Sequence, residues 1–292
     1  MQIIDALAEV SDGYRALFVD LWGCVHDGVH ALPGAVRSLT AYRAGGGRVI
    51  LVTNSPRTRA GVADQIARFG VPETAYDDIA TSGDSARVAM FDGVVGRRVW
   101  HLGQAHDAAF FEPPAILETP VAIERVALEA AEGIVCTGPF DAMADPDVMR
   151  PDFEAAIARG LKLLCANPDI VVDRGEVREW CAGALAALYT EMGGESLYFG
   201  KPHKPIYDLA RRRLAKIEAV PDAGILAIGD GPGTDAAGAM GEGLDLLFVS
   251  GGLAAAETGT GPGPGGRPAP DRLARFLDAE GLAPRFTIGQ LR

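Results

Sequence analysis

The stretch ALFVDLWGCVHDG, residues 16–28, poses the question on which fold and chemistry both turn. Ala16 to Val19 form a short apolar run suited to a buried strand, and Asp20 closes it with a carboxylate. RVILVT, residues 48–53, repeats the pattern, and between the two runs a helix starts at Pro33 and Gly34 and stops at Gly45, Gly46 and Gly47. Two buried strands joined by a helix predict a βαβ unit with parallel strands. Near the other end AGILAIGD (223–230) and LDLLFVS (244–250) enclose a helical stretch opening at Thr234, so the same unit is expected again.

The intervening segment has its own alternation. RRVWHLG (97–103), GIVCTG (133–138) and LKLLCAN (161–167) read as strands, with a helix around Asp147 to Arg159. This predicts a second α/β domain inserted into the first. TGTGPGPGGRPAPD (258–271) is too rich in Gly and Pro for an element interior and reads as a mobile loop. No internal repeat is evident.

Composition narrows the function. The chain has 292 residues, 48% of them hydrophobic, enough for one large core or two modest ones. A formal charge of −12 argues against a nucleic-acid backbone or an anionic membrane as partner, because both reward a basic surface. No apolar run approaches the roughly 20 residues that span a bilayer, and MQIIDALAEV carries Asp5 and Glu9 instead of a basic leader, so a cytoplasmic location is expected. Cys24, Cys136, Cys165 and Cys181 lie far apart without paired spacing and read as buried thiols. Lysine occurs at Lys162, Lys201, Lys204 and Lys216, and two of the four fall in GKPHKP.

In open α/β sheets ligands bind at the carboxyl ends of the strands, where the polar clusters of this chain gather. Asp20 ends the first strand and Thr53, Asn54 and Ser55 the second; Asp230 ends a later one in GDGPGTD, with Asp235 beyond the turn; Lys201 follows SLYFG. Each has an ordinary reading. Asp20 can be a turn cap, TNSPRT a helix N-cap, GDGPGTD a plain glycine turn, and Lys201 a solvated charge. Taken together they are the parts of phosphoryl transfer through an aspartyl-phosphate: an Asp nucleophile, a hydroxyl donor, a lysine and an acidic pair for Mg²⁺. A lysine in a chain that otherwise prefers arginine suits a compact charge facing phosphate.

These segments resemble the haloacid dehalogenase-like hydrolase superfamily, in particular its type IIA branch of small-molecule phosphatases. DLWGCVHDG is similar to the first motif, VTNSPRT to the second, GKPHKPIY to the third and GDGPGTDAAGA to the fourth; CANPDIVV (165–172) resembles the cap NPD segment and CAGALAALY the helix that returns to the core. The resemblance implies a Rossmann-like doubly wound parallel core, residues 1–81 and 178–292, with an α/β cap, residues 82–177, that selects substrate. It implies Asp20 as nucleophile, Thr53 with Asn54 and Ser55 at the phosphoryl group, Lys201 beside it, and Mg²⁺ held by Asp20, Asp230 and the Trp22 carbonyl with Asp235 in support. Asn167, Asp169 and Arg174 are candidate substrate contacts, with the alternative that the NPD turn only orders the cap backbone. The substrate class implied is a small phosphorylated metabolite such as a sugar phosphate or nucleotide monophosphate, and the resemblance leaves room for a homodimer through the cap.

One position departs. Where the branch carries a second Asp, which protonates the leaving alcohol and later activates water, this chain has Trp22. An indole N–H does neither, and loss of a general acid or base costs about two to four powers of ten in rate. His26 is a candidate replacement on chemistry alone, while Asp27 and Gly28 read as turn residues. Two functions therefore stand: a phosphatase with altered acid-base chemistry, or a protein that binds a phospho-ligand with little turnover. A receiver-type signalling domain, which also lines up Asp, Thr and Lys, has no place for the insert.

Overall fold

The computed structural model describes residues 1–174, 177–263 and 265–292; the side chain of Arg174 lies outside what is described. In chain order the strands are β1 (Gln2–Ile3), β2 (Ala16–Val19), β3 (Arg48–Thr53), β4 (Asp78–Thr81), β5 (Arg98–Leu102), β6 (Glu124–Arg125), β7 (Gly133–Cys136), β8 (Lys162–Cys165), β9 (Val171–Arg174), β10 (Val177–Trp180), β11 (Glu195–Tyr198), β12 (Ile225–Gly229), β13 (Asp245–Val249) and β14 (Phe286–Ile288). The helices used below are α1 (Pro33–Ala44), α2 (Arg59–Phe69), α3 (Ser82–Phe91), α4 (Arg150–Ala158), α5 (Ala182–Glu191) and α6 (Lys204–Ala215). The chain divides into two compact units, one of Met1–Thr53, Gly61–Ala80 and Tyr207–Arg292, the other of Asn54–Ala60 and Thr81–Ile206.

The first unit is built on a seven-stranded sheet in the order β1-β14-β13-β12-β2-β3-β4. The pairs β1–β14, β14–β13, β13–β12, β12–β2 and β2–β3 are parallel. Leu17, Val19, Val49, Leu51, Leu226 and Ile228 turn to one face and pack with Ala35 and Leu39 of α1 and Val62 and Ile66 of α2, pairs spaced by one helical turn. Phe18, Ile50, Ala227 and Phe248, at the alternate positions, are buried as well. Both faces are covered, which is why these strands read as unbroken apolar runs. The α/β class with a parallel core sheet expected from the sequence is what forms.

The second unit holds a five-stranded sheet, β11-β8-β7-β5-β6, parallel throughout, and the antiparallel hairpin β9–β10. One face carries Leu102, Ile134, Cys136, Leu163 and Cys165 against Phe153 of α4 and Leu185 and Tyr189 of α5; the other carries Val99, Val135 and Leu164 against Ala86 and Met90 of α3. Two expectations differ here. CAGALAALY forms α5, yet its apolar side is buried on β7 and β8, and SLYF supplies β11 to the same sheet. The unit that holds β2 and β12 resumes at Tyr207, and the sequence motifs place the return to the core at residue 178. A helix and strand that bury their side chains against the insert belong with it, whatever their motif order.

All four cysteines are buried free thiols, as expected. Burial pushes Cys136 well above the ordinary thiol value and Cys165 up to about 12, so neither forms thiolate readily. Thr258, read from sequence as the start of a loop, instead closes a short helix, Ala255–Thr258, and Ala269 N–H donates to its carbonyl at 3.0 Å. That bond ties the two ends of the loop together. No helix among the described residues is long and apolar enough to cross a membrane.

Candidate active site

β2 and β12 are neighbours in register, Val19 opposite Ile228, and the next residue of each chain segment leads to a carboxylate. Asp20 N–H donates to the Ile228 carbonyl at 2.9 Å, which extends the ladder by one residue and fixes where Asp20 emerges. Asp230 follows Gly229 at the end of β12. A ligand atom from each of Asp20, Asp230 and Cys24 lies within 4.8 Å of the others, and all three residues are buried.

The ground around Asp230 is made of backbone. A Cβ on Gly23 would sit 2.2 Å from Asp230 Oδ2, and one on Gly252 only 1.9 Å away. Gly23 also has φ +72°, so glycine is required there twice over. Leu253 N–H donates to Asp230 Oδ2 at 2.9 Å and orients the carboxylate. Two hard carboxylates at adjacent strand ends, one held by a backbone amide and flanked by glycines that leave room beside it, fit a Mg²⁺ site. Asp235 stands apart from this group. Its Oδ2 accepts from Gly231 N–H at 3.1 Å and Thr234 Oγ1 at 3.4 Å, closing the turn that follows Asp230.

Residues 22–28 form a small flap. Trp22 and His26 are bridged, Gly23 N–H donates to the His26 carbonyl at 2.9 Å, and Asp27 Oδ1 accepts from the amides of Val29 and His30 at 2.9 and 2.7 Å. Asp27 is thus a turn residue, its carboxyl held below the ordinary range by those amides. The indole lies over Gly28 (φ +92°), where a Cβ would come within 2.3 Å of its Cη2, and meets the His26 ring edge-on at 5.7 Å. His26 is itself wedged against Phe69 at 5.1 Å, and its Nδ1 accepts from Gly28 N–H at 3.0 Å. Burial lowers its pKa to about 4 against a weaker opposing pull from Asp27. At neutral pH the ring is an uncharged structural acceptor. Chemistry alone made His26 an acid-base candidate; its surroundings do not favour that role.

The second unit carries the other motif residues. The Asn54 side chain accepts from Lys201 N–H at 2.7 Å through Oδ1, and its Nδ2 donates to the Lys201 carbonyl at 3.1 Å and to Asp169 Oδ1 at 2.9 Å. One amide therefore grips both sides of Lys201 and ties it to the NPD turn. A Cβ on Gly200 would lie 2.5 Å from Asn54 Oδ1 and 2.6 Å from Pro168, so the glycine of GKP permits this close approach. Asn167 Oδ1 accepts from Asp169 N–H at 3.0 Å, making the turn itself. Ser55 Oγ accepts from Arg57 N–H at 3.3 Å, and Thr53 ends β3 in the first unit. Asn54, Asn167 and Asp169, the candidate substrate contacts of the sequence, are thus linked to one another and to Lys201 by hydrogen bonds.

Two sets of residues escaped the sequence reading. Cys24 was counted as a core thiol although it lies inside the first motif, four positions after Asp20, which was the available signal. The other set, at the carboxyl ends of β5 and β7, is a chain from His101 Nε2 to Thr137 Oγ1 (2.9 Å) and on to Asp107 Oδ2 (2.7 Å). Nothing in the local sequence joins these three; the register of β5 beside β7 does.

The pattern of the haloacid dehalogenase-like hydrolase family matches residues 17–113, and a second, HAD-hydrolase-like pattern matches residues 198–276. A crystal structure of a haloacid dehalogenase-like family hydrolase from Brucella suis 1330 is 38% identical, with a TM-score of 0.83, covering 99% of this chain and 100% of that one. The chain belongs to the haloacid dehalogenase-like hydrolases. Two more distant structures share the fold: a possible sugar phosphatase of the HAD superfamily from Cytophaga hutchinsonii (20% identity, TM-score 0.74, 99% and 98% coverage) and a p-nitrophenyl phosphatase from Archaeoglobus fulgidus (19%, 0.71, 95% and 96%). No curated protein matches the chain. Within the haloacid dehalogenase-like hydrolases, the first pattern spans the flap with Trp22 and the second spans Lys201 and Asp230.

Proposed function

We propose that the protein is a Mg²⁺-dependent phosphatase acting on a small phosphorylated metabolite, a sugar phosphate or a nucleotide monophosphate, through an aspartyl-phosphate on Asp20. The convergence of Asp20 and Asp230 at adjacent parallel strand ends carries this reading. Asp20 attacks phosphorus, the bond from phosphorus to the leaving oxygen breaks, and a new bond joins phosphorus to the Asp20 carboxylate oxygen. Water then attacks phosphorus and restores Asp20 with release of phosphate. Asp20, Asp230 and the Trp22 carbonyl would hold Mg²⁺, which would supply charge neutralisation for the transferred phosphoryl group. Thr53 and Ser55 offer hydroxyls to the phosphoryl group, and Lys201 a point charge. Asn54 and Asp169 act on Lys201 by fixing its backbone, and Asp235 keeps the Asp230 turn closed.

Phosphate release from a panel of phosphomonoesters, with and without Mg²⁺, tests the reading. Asp20→Asn removes the nucleophile and keeps the shape, so turnover is expected to fall by about three powers of ten or more with an unchanged melting temperature. Near-wild-type turnover in the purified variant refutes covalent catalysis at Asp20.

A second reading, a phospho-ligand-binding protein with little turnover, draws support from the pinned indole at Trp22, which supplies no acid or base. In that case leaving-group release stops at one equivalent per chain while phosphate stays on the protein.

A further inference from the structure

The Cys24 thiol brings a soft donor into a site of hard ones. Its Sγ belongs to the same buried group as the Asp20 and Asp230 carboxylate oxygens, all within 4.8 Å of one another. The backbone places it there: Val25 N–H donates to the Leu21 carbonyl at 2.8 Å and Gly23 N–H to that of His26 at 2.9 Å, so the turn carrying Cys24 is closed on both sides. Mg²⁺ takes oxygen ligands and has no use for sulfur, whereas zinc-like ions favour thiolate. Two carboxylates and a thiolate are a ligand set that Zn²⁺ accepts.

We propose that this site binds thiophilic divalent ions, Zn²⁺ or Cd²⁺, through the Asp20 and Asp230 carboxylates and Cys24 Sγ, in competition with Mg²⁺. On binding, the sulfur–hydrogen bond gives its proton to solvent and a sulfur–metal bond forms, with no change of oxidation state. Such an ion takes the place of Mg²⁺ at Asp20 and Asp230 and so inhibits. The inference rests on the reading of Asp20 and Asp230 as metal ligands, and not on phosphatase turnover.

The test is a Cd²⁺ titration of the full chain followed by the ultraviolet charge-transfer absorption of the cadmium–thiolate bond, with and without excess Mg²⁺. Wild type is expected to show a saturable band at one equivalent, with apparent affinity lowered by Mg²⁺. Cys24→Ser, which retains Cys136, Cys165 and Cys181, is expected to lose the band and to bind Cd²⁺ about tenfold or more weakly. Asp230→Asn should weaken binding while leaving the thiol in place. A band that persists in Cys24→Ser, or one indifferent to Mg²⁺ in wild type, overturns the inference. The Mg²⁺ arm decides the matter if the serine variant does not fold. A Mg²⁺-sensitive band that needs Cys24, in a protein without phosphatase activity, upholds this inference and rejects the proposed reaction.

Discussion

On the proposed reaction, Trp22 stands where the resemblance puts the group that protonates the leaving alcohol, and an indole has no proton to give. Esters whose leaving group departs as a stable anion should therefore be cleaved far better than alkyl esters, and aryl phosphate should give a burst of phenol followed by slower phosphate release. Trp22→Asp should raise steady-state turnover on alkyl phosphates by about tenfold or more and remove the burst. Equal rates on both ester classes without a burst would mean that another group donates the proton. His26, next to this indole, bears on stability. Its folded pKa of about 4 lies below the ordinary 6.5, so between these values the unfolded chain holds a proton that the folded chain does not. The stabilisation is complete above pH 6.5 and is lost as pH falls through 4, a difference on the order of 3 kcal/mol. Thermal melts from pH 7 to 4 should drop more steeply in wild type than in His26→Gln, and parallel curves would refute the assignment.

At the scale of elements, the Asn54 side chain joins the start of one segment to the loop between β11 and α6. Asn54→Ala frees both sides of the Lys201 peptide, and a displaced charge is expected to lower kcat about tenfold to a hundredfold. If Asn54 works through Lys201, the double variant with Lys201→Ala should be scarcely worse than Lys201→Ala alone; additive losses would place Asn54 elsewhere in the reaction. The strands bearing Asp20, Thr53 and Asp230 were legible because each is a short apolar run with a polar stop, and α1 because Pro33 and Gly45 mark its ends. The membership of α5 and β11 was not. Both are apolar enough to suit either unit, and burial on β7 and β8 is a tertiary fact that local pattern does not encode. The same holds for His101 and Thr137, which the register of β5 beside β7 brings together, with Asp107 joining from the turn after β5.

Over the whole molecule, a formal charge of −12 meets an anionic substrate, so electrostatic attraction has to be local. Raising ionic strength should consequently leave phosphomonoester KM lower or unchanged, since salt screens the overall repulsion; a KM that climbs steeply with salt would refute this. The fold class and the motif carboxylates were legible from their order along the chain. Cys24 as a third donor was not, because its closeness to Asp230 arises when two strands far apart in sequence lie side by side. That pairing also orders events in time. β2, apolar and wholly buried when folded, has β12 as one neighbour, and β1 pairs with β14 near the carboxyl terminus. On the ribosome the nascent β2 edge waits until β12, residues 225–229 of 292, is made, while the strands of the second sheet have all emerged earlier. A growing chain released before β12 is made would expose ALFV as an unpaired edge, prone to self-association and in need of a chaperone, and would hold Asp20 without the carboxylate that completes its ion site.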